Sequence, residues 1–283
     1  MIIDFFTLIL TSTILQRALL AAVLVAIIAA TSGTFMVFRG LSFLTSGVAH
    51  AALGGASLGL FLQATGIAPW FDPILGAVIF AIFIAVVTGL AGERGIAQKM
   101  EVAVGVSFAL SMSLAVFLMY YLPPTMIPQI WGYIIGDILL LDNIDLILLT
   151  GTALSLVVLI ILFKKEFIYV SVDMEGSTAH GMNARGYHYL MLIFAAIAIA
   201  LTTKAVGAIL VYAILVAPAA ASSELMKTVN YVILGVFVLA LFSMLLGLVG
   251  SFTILASPSA IAGLTAALSY IIIIQGKRLL KRT

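Results

Sequence analysis

The stretch Arg39–Gln63, RGLSFLTSGVAHAALGGASLGLFLQ, places one imidazole, His50, in a run of small and apolar residues. An imidazole in such a setting has two uses: a neutral side chain hydrogen-bonded to a neighbouring helix, or a ligand for a divalent metal. At about 100° per residue, Ser46, His50 and Ser57 fall within about 40° of one another, a narrow polar line that could border a pathway. Gly47, Ala51, Gly55 and Gly59 share an adjacent stripe, the small-xxx-small pattern that lets two helix backbones touch. The chain has no cysteine, so any metal must be held by oxygen and imidazole.

The other chemistry-bearing residues are scattered. Glu101 opens an apolar run and reads as an interfacial acid paired with Lys99 or Arg94. Asp137, Asp142 and Asp145 either terminate one segment or form a vestibule that attracts cations. His180 and His188 read as exposed or interfacial, with Tyr187 and Tyr189 in an aromatic belt. The stretch Asp173–Gly181 can start a short helix, with Asp173 as N-cap, Glu175 in the first turn and a glycine at the end. Its plain reading is a solvated loop. The chain holds no GxxxxGK[ST] phosphate loop and no GxSxG or HExxH constellation, so nothing in it points to nucleotide hydrolysis or to membrane hydrolase chemistry.

The elements that position these residues follow from composition. At 64% hydrophobic and 8% charged, the 283 residues carry more apolar surface than one soluble core can bury. Continuous apolar runs, rather than alternating ones, make this an all-α polytopic membrane protein. Spans fit 14–38, 46–64, 72–92, 101–121, 145–163, 188–203, 206–222, 231–249 and 259–275, about nine in one domain covering 1–283. Segment 122–144 differs: Pro123, Pro124 and Pro128 oppose a regular spanning helix, so it reads as re-entrant or interfacial. Pro218 kinks the seventh span and could serve as a hinge.

Lysine and arginine favour short cytoplasmic loops. With the amino terminus outside and the carboxyl terminus cytoplasmic, the inner side holds Arg39, Arg94, Lys99, Lys164, Lys165, Arg185, Lys227, Lys277, Arg278, Lys281 and Arg282. Only Arg17 and Lys204 fall outward, each placed to snorkel from a span end. Asp4, Asp72, Asp137, Asp142 and Asp145 then lie on the outer side. The amino terminus lacks the cationic region of a cleaved signal, so the first helix is expected to be its own insertion signal. A net charge of +2 gives no surface for nucleic acid.

Four collinear motifs carry a family resemblance. Phe38-Arg39-Gly40-Leu41-Ser42 with Ala49-His50-Ala51-Ala52-Leu53-Gly54, then Glu101-Val102-Ala103-Val104-Gly105, then Gly136-Asp137, and then Val206-Gly207-Ala208-Ile209-Leu210 with Ala217-Pro218-Ala219-Ala220 resemble the permease subunits of zinc, manganese and iron ABC importers. The resemblance implies a type II importer bundle in a prokaryotic cytoplasmic membrane, working as a homodimer with a cytoplasmic ATPase that binds the ATP and an extracytoplasmic metal-binding protein. It implies that zinc, manganese or iron passes as substrate, with His50, Ser46, Glu101 and Asp137 along the pathway. It also makes a segment within 170–184 the coupling helix that docks on the ATPase, through Asp173, Glu175, Ala179 and Gly181.

Two positions depart from the family pattern. Many members carry an aspartate where this chain has Ser46, and often an acid before the proline where it has Ala256-Ser257-Pro258. A hydroxyl is a weaker ligand than a carboxylate. An importer of the same architecture carrying a chelated metal or a small organic solute is therefore the alternative, and a membrane-embedded enzyme or structural subunit is a second.

Overall fold

The computed structural model describes residues 11–92, 97–254 and 256–280. Within them every regular element is helical. The first helix, α1 (Thr13–Phe38), contains a π-helical turn at Ala29–Gly33. There follow α2 (Ser42–Ala64), α3 (Pro73–Gly92), α4 (Ala97–Met119), a short α5 (Ile127–Ile135) and a 3-10 turn at Ile138–Leu140. The rest is α6 (Asn143–Val172), α7 (Met174–Ala179), α8 (Ala184–Val206), α9 (Val211–Leu225), α10 (Val229–Ser251) and α11 (Pro258–Leu280). Among the described residues eight helices are long and apolar enough to cross a bilayer, and α9 is a shorter apolar ninth. Where about nine spans were expected, the described residues hold eight full-length ones and the shorter α9 at the place of the seventh.

The helix ends follow local chemistry. Pro73 and Pro258 begin α3 and α11, where a missing N–H costs nothing. Asp72 accepts from the Ile74 amide at 2.7 Å, and Asp142 and Asp145 close a reciprocal capping box on α6. The boundaries differ from expectation in three places. α6 runs nine residues past the expected end at 163, because the non-helical step at Phe163 (φ −121°, ψ 18°) kinks the helix without ending it. α8 starts at Ala184, capped by Asn183, and so absorbs the end of the polar stretch. The seventh span starts at Val211 because Gly207, at φ 98°, turns the chain first. At 1.5 Å per residue α9 is about 22 Å long, short of the roughly 30 Å hydrocarbon thickness.

Segment 122–144 does not span. α5, with Pro128 tolerated in its first turn, ends at Gly136 and docks on the α8–α9 link: the Ala208 amide donates to the Tyr133 carbonyl at 2.9 Å. Gly136 and Gly207 meet backbone to backbone, both at positive φ, and a Cβ on either would overlap the other segment's main chain.

The packing centre is α2. It lies between α3 and α4, with α8 and α9 also against it. The expected small-residue stripe divides between two partners. Gly55 and Gly59 meet α3 at Gly76 and Pro73, while Gly47 and Gly54 meet α4 at Val104 and Ser111; Ala51 is fully buried. Large apolar side chains face outward instead on the rim helices, for example Phe83, Val106, Leu110, Ile147, Ile161 and Ile272, as lipid contact requires. Overpacking a close crossing typically costs about 1–3 kcal/mol. Gly55→Ala is expected to lower the thermal midpoint in detergent or abolish folded yield, whereas Gly105→Ala, which meets open space, leaves both unchanged.

Candidate permeation site

α2 and α4 run parallel, and their shared groove places His50. The imidazole packs on the Phe108 ring at a centroid distance of 4.3 Å. Its Nδ1 lies 2.8 Å from the Ser46 carbonyl oxygen. A carbonyl only accepts, so Nδ1 carries the proton and Nε2 presents its lone pair away from α2. The backbone one turn earlier thus sets the tautomer and leaves Nε2 as the nitrogen able to accept a hydrogen bond or bind a metal. Ser46 and His50 are half-buried on the same face of α2. Ser57 is not part of that line in practice: it is fully buried, and its hydroxyl donates to the Leu53 carbonyl at 2.9 Å.

Glu101 is exposed on α4, seven residues before Phe108 and hence on nearly the same face. That spacing puts it about 10 Å along the helix from the His50 contact. Its expected partners, Arg94 and the Lys99 side chain, lie outside the described residues, as do Asp4, Lys281 and Arg282.

Asp137 lies at the opposite end of the bundle. Its carboxylate accepts from the Leu139 amide at 2.9 Å, capping the 3-10 turn. With Gln63, Asp72, Tyr133, Asp142 and Lys204 it lines an open cavity of about 430 Å³. Gln63 and His50 are thirteen residues apart on one helix, so the cavity and the imidazole are separated by about 20 Å. Among the described residues no group of three or more His, Asp or Glu could hold a metal ion together. Asp137, His50 and Glu101 therefore form no common coordination sphere: His50 and Glu101 lie along the α2–α4 groove, and Asp137 lies in the separate cavity beyond the Gln63 end of α2.

The cavity has a fixed electrostatic floor. Asp145, 4% exposed, receives the Lys204 ammonium at 2.6 Å. Lys204 was expected to snorkel, and the buried acid beside it draws it inward instead. Of the three acids Asp137, Asp142 and Asp145, the last is thus spent on an internal ion pair. The Asp145 amide first, with Lys204 and the Ile144 amide adding to it, holds the Asp142 carboxyl below its ordinary pKa. Capping by Asp142 is therefore complete at neutral pH and lost only as pH falls through that lowered value. Burial above all, then the charges of Asp72 and Asp145, pushes the Tyr133 hydroxyl up, so it stays neutral in the cavity wall.

The other end carries α7, six residues long. Asp173 caps it by accepting from the Gly176 amide at 2.8 Å. The Met182 amide donates to the Ser177 carbonyl and the Gly181 amide to that of Thr178, closing a Schellman turn in which Gly181 takes φ 80°. Glu175, Thr178, Ala179 and Gly181 are exposed, and Ser177 is buried against the bundle.

His188 is not exposed or interfacial. It is 3% exposed, with Nδ1 2.9 Å from Arg39 Nη2. α8 starts four residues earlier than expected, so position 188 lies one turn inside the helix, and Arg39, which pairs with no carboxylate among the described residues, supplies the reason to bury an acceptor there. Tyr187, expected in an aromatic belt with Tyr189, packs on Phe163 and Phe167 beneath the α6 kink. Sequence periodicity holds no signal for the Arg39–His188 contact, which joins residues 149 positions apart. Pro218 is buried within α9, and one turn before it the Leu215 carbonyl touches Gly33 of the π-helical turn.

A sequence profile of the ABC 3 transport family matches residues 11–277. The chain belongs to that family. It is 28% identical over 274 residues to the manganese import system permease protein ScaB of Streptococcus gordonii, covering 95% of this chain and 94% of that protein. The high-affinity zinc uptake system membrane protein ZnuB of Haemophilus influenzae is 25% identical over 236 residues, or 83% and 87% of the two chains. Among solved structures, PsaBC from Streptococcus pneumoniae in complex with Fab superposes with a TM-score of 0.83 at 25% identity, over 96% of this chain and 95% of that one. The four motifs read from the sequence thus sit in a shared fold, and two of them, Gly136-Asp137 and Val206-Gly207, are in direct contact.

Removing one partner of a buried pair costs about 3–5 kcal/mol, whereas removing both costs less. Lys204→Met is expected to lower the thermal midpoint sharply, and adding Asp145→Asn to recover most of the loss, as measured by thermal unfolding in detergent.

Proposed function

We propose that this chain is the membrane permease of an ABC importer that moves a divalent transition metal into the cytoplasm, powered by a separate ATPase. The observation that carries this reading is His50: a half-buried imidazole in the groove between α2 and α4 whose backbone hydrogen bond leaves Nε2 free, in a chain of the ABC 3 transport family. Manganese and zinc relatives support a divalent cation as cargo. The half-exposed face bearing Ser46 and His50 suits the seam of a homodimer, in which two copies would line one pathway.

In this reading the cavity with Asp72, Asp137 and Asp142 faces outward and receives the cation from an extracytoplasmic binding protein. His50 offers the intramembrane ligand, with Ser46 or a water as the oxygen donor one turn earlier. Glu101 stands at the inner exit. α7 is the coupling helix, docking on the ATPase through Glu175, Ala179 and Gly181, with Asp173 holding its first turn. Nucleotide binding shifts the balance between two global states that expose the pathway to alternate sides. Pro218, one turn after the Leu215 carbonyl that meets Gly33 of the π-helical turn, is the hinge in α9. The lysine and arginine distribution supports the amino terminus outside and the carboxyl terminus in the cytoplasm.

Ser46 in place of a carboxylate keeps one second reading in view, import of a chelated metal or small organic solute. ATP hydrolysis by the reconstituted complex with its binding protein, measured across zinc, manganese and iron, separates the two; a response flat to all three metals refutes the ion reading. His50→Ala is expected to abolish metal uptake in cells at normal expression. Ala179→Trp is expected to leave membrane insertion intact and to uncouple transport from ATP hydrolysis, measured as cation moved per ATP.

A further inference from the structure

Arg39 is joined to more elements than any role as a loop cation requires. Nη1 donates to the Val170 carbonyl at the end of α6. Nη2 donates to His188 Nδ1 in α8 at 2.9 Å and lies 3.7 Å from Met174 Sδ in α7. A guanidinium has no acceptor lone pair, so His188 must present its own, which fixes the imidazole neutral with the proton on Nε2. Among the described residues no carboxylate pairs with Arg39, and its Nε is buried without a partner. Its open edge borders a cavity of about 720 Å³ lined also by Asp173, Met174, Glu175, Thr178 and Arg185.

The backbone that carries this fork is short and stiff. Gly40 at φ 67° closes a Schellman turn in which the Leu41 amide donates to the Met36 carbonyl at 2.8 Å and the Gly40 amide to that of Val37 at 3.0 Å. Leu41 is buried, and α2 starts at the next residue. A displacement of α7, passed to Arg39 at Met174 Sδ or through the α6 end and α8 on which α7 packs, therefore reaches the first turn of α2 through the Arg39 side chain and two residues, with no flexible loop between. His50 lies eight residues further, about 12 Å up the same helix.

We propose that Arg39, seated on His188, is the positioning residue that transmits movement of α7 to the His50 helix. Building on the reading of α7 as the docking helix, this assigns the coupling to a side-chain fork distinct from the docking residues Glu175, Ala179 and Gly181 and from His50. Arginine is required because its planar fork reaches the Val170 carbonyl and the imidazole together, which a lysine ammonium cannot do in the same geometry. His188 is required only as an acceptor.

The test is cation transported per ATP hydrolysed by the permease–ATPase complex with binding protein in liposomes, using zinc or manganese, whichever stimulates the wild type. Arg39→Gln and His188→Leu are expected to assemble and to hydrolyse ATP, while transport per ATP falls about tenfold, within the usual range of coupling between sites. His188→Gln, whose amide oxygen still accepts from Nη2, is expected to keep the wild-type ratio. A wild-type ratio in both Arg39→Gln and His188→Leu overturns the proposal, as does an equal loss in His188→Gln and His188→Leu. If Arg39→Gln does not fold, the two His188 variants decide alone. Normal coupling in Ala179→Trp overturns the docking reading instead, so the two failures are read on different variants.

Discussion

The contact on which the rest of the bundle depends is that of the α2 backbone with its neighbours. In hydrocarbon, side chains gain little by leaving lipid for one another, so helices associate where small residues allow dense van der Waals contact. Gly55 against Gly76 and Gly59 against Pro73 bring α3 to touching distance; Gly47 and Gly54 do the same for α4. With α2 held on two sides, the face carrying Ser46 and His50 has little freedom to turn. The hydrogen bond from His50 to the Ser46 carbonyl then fixes the ring, so the position of Nε2 is set by main-chain geometry and not by a flexible partner.

A second glycine contact serves the opposite end. Segment 122–144 is too interrupted to span and too apolar to stay in water, and the Gly136–Gly207 crossing pins it to the bundle. Both φ angles are positive, so each glycine supplies the turn and the close approach at once. This crossing brings Asp137 to the same cavity as Asp72 and Asp142. The Asp145–Lys204 pair lies under that cavity and is costly to bury, which argues that its net contribution is to fix how α6 and α8 meet rather than to add much stability.

Much of this was legible in the chain. Apolar runs located the long helices, the spacing of Gly47, Ala51, Gly55 and Gly59 marked α2 as a packed helix, and Asp173 and Gly181 bounded α7, because each is a local rule of period or cap. What escaped was set by distant partners. Lys204 read as a snorkelling cation because Asp145 is far away in sequence, and His188 read as interfacial because nothing near it announces Arg39. The polar line through Ser46, His50 and Ser57 had the right angular spacing, but Ser57 satisfies its own helix. Periodicity places a residue on a face; it does not say whether that face is open.

The two Schellman turns, at Gly40 and at Gly181, have a consequence for how such a chain can diversify. They close rigid corners at one end of the bundle, and none of the hydrogen bonds that hold α7, Arg39 and the start of α2 involves the side chain at position 46. The face that carries Ser46 and His50 is therefore structurally independent of the corner that holds α7. On the proposed reading, a carboxylate could be exchanged for a serine at position 46 while α7, Arg39 and the start of α2 keep every one of these contacts.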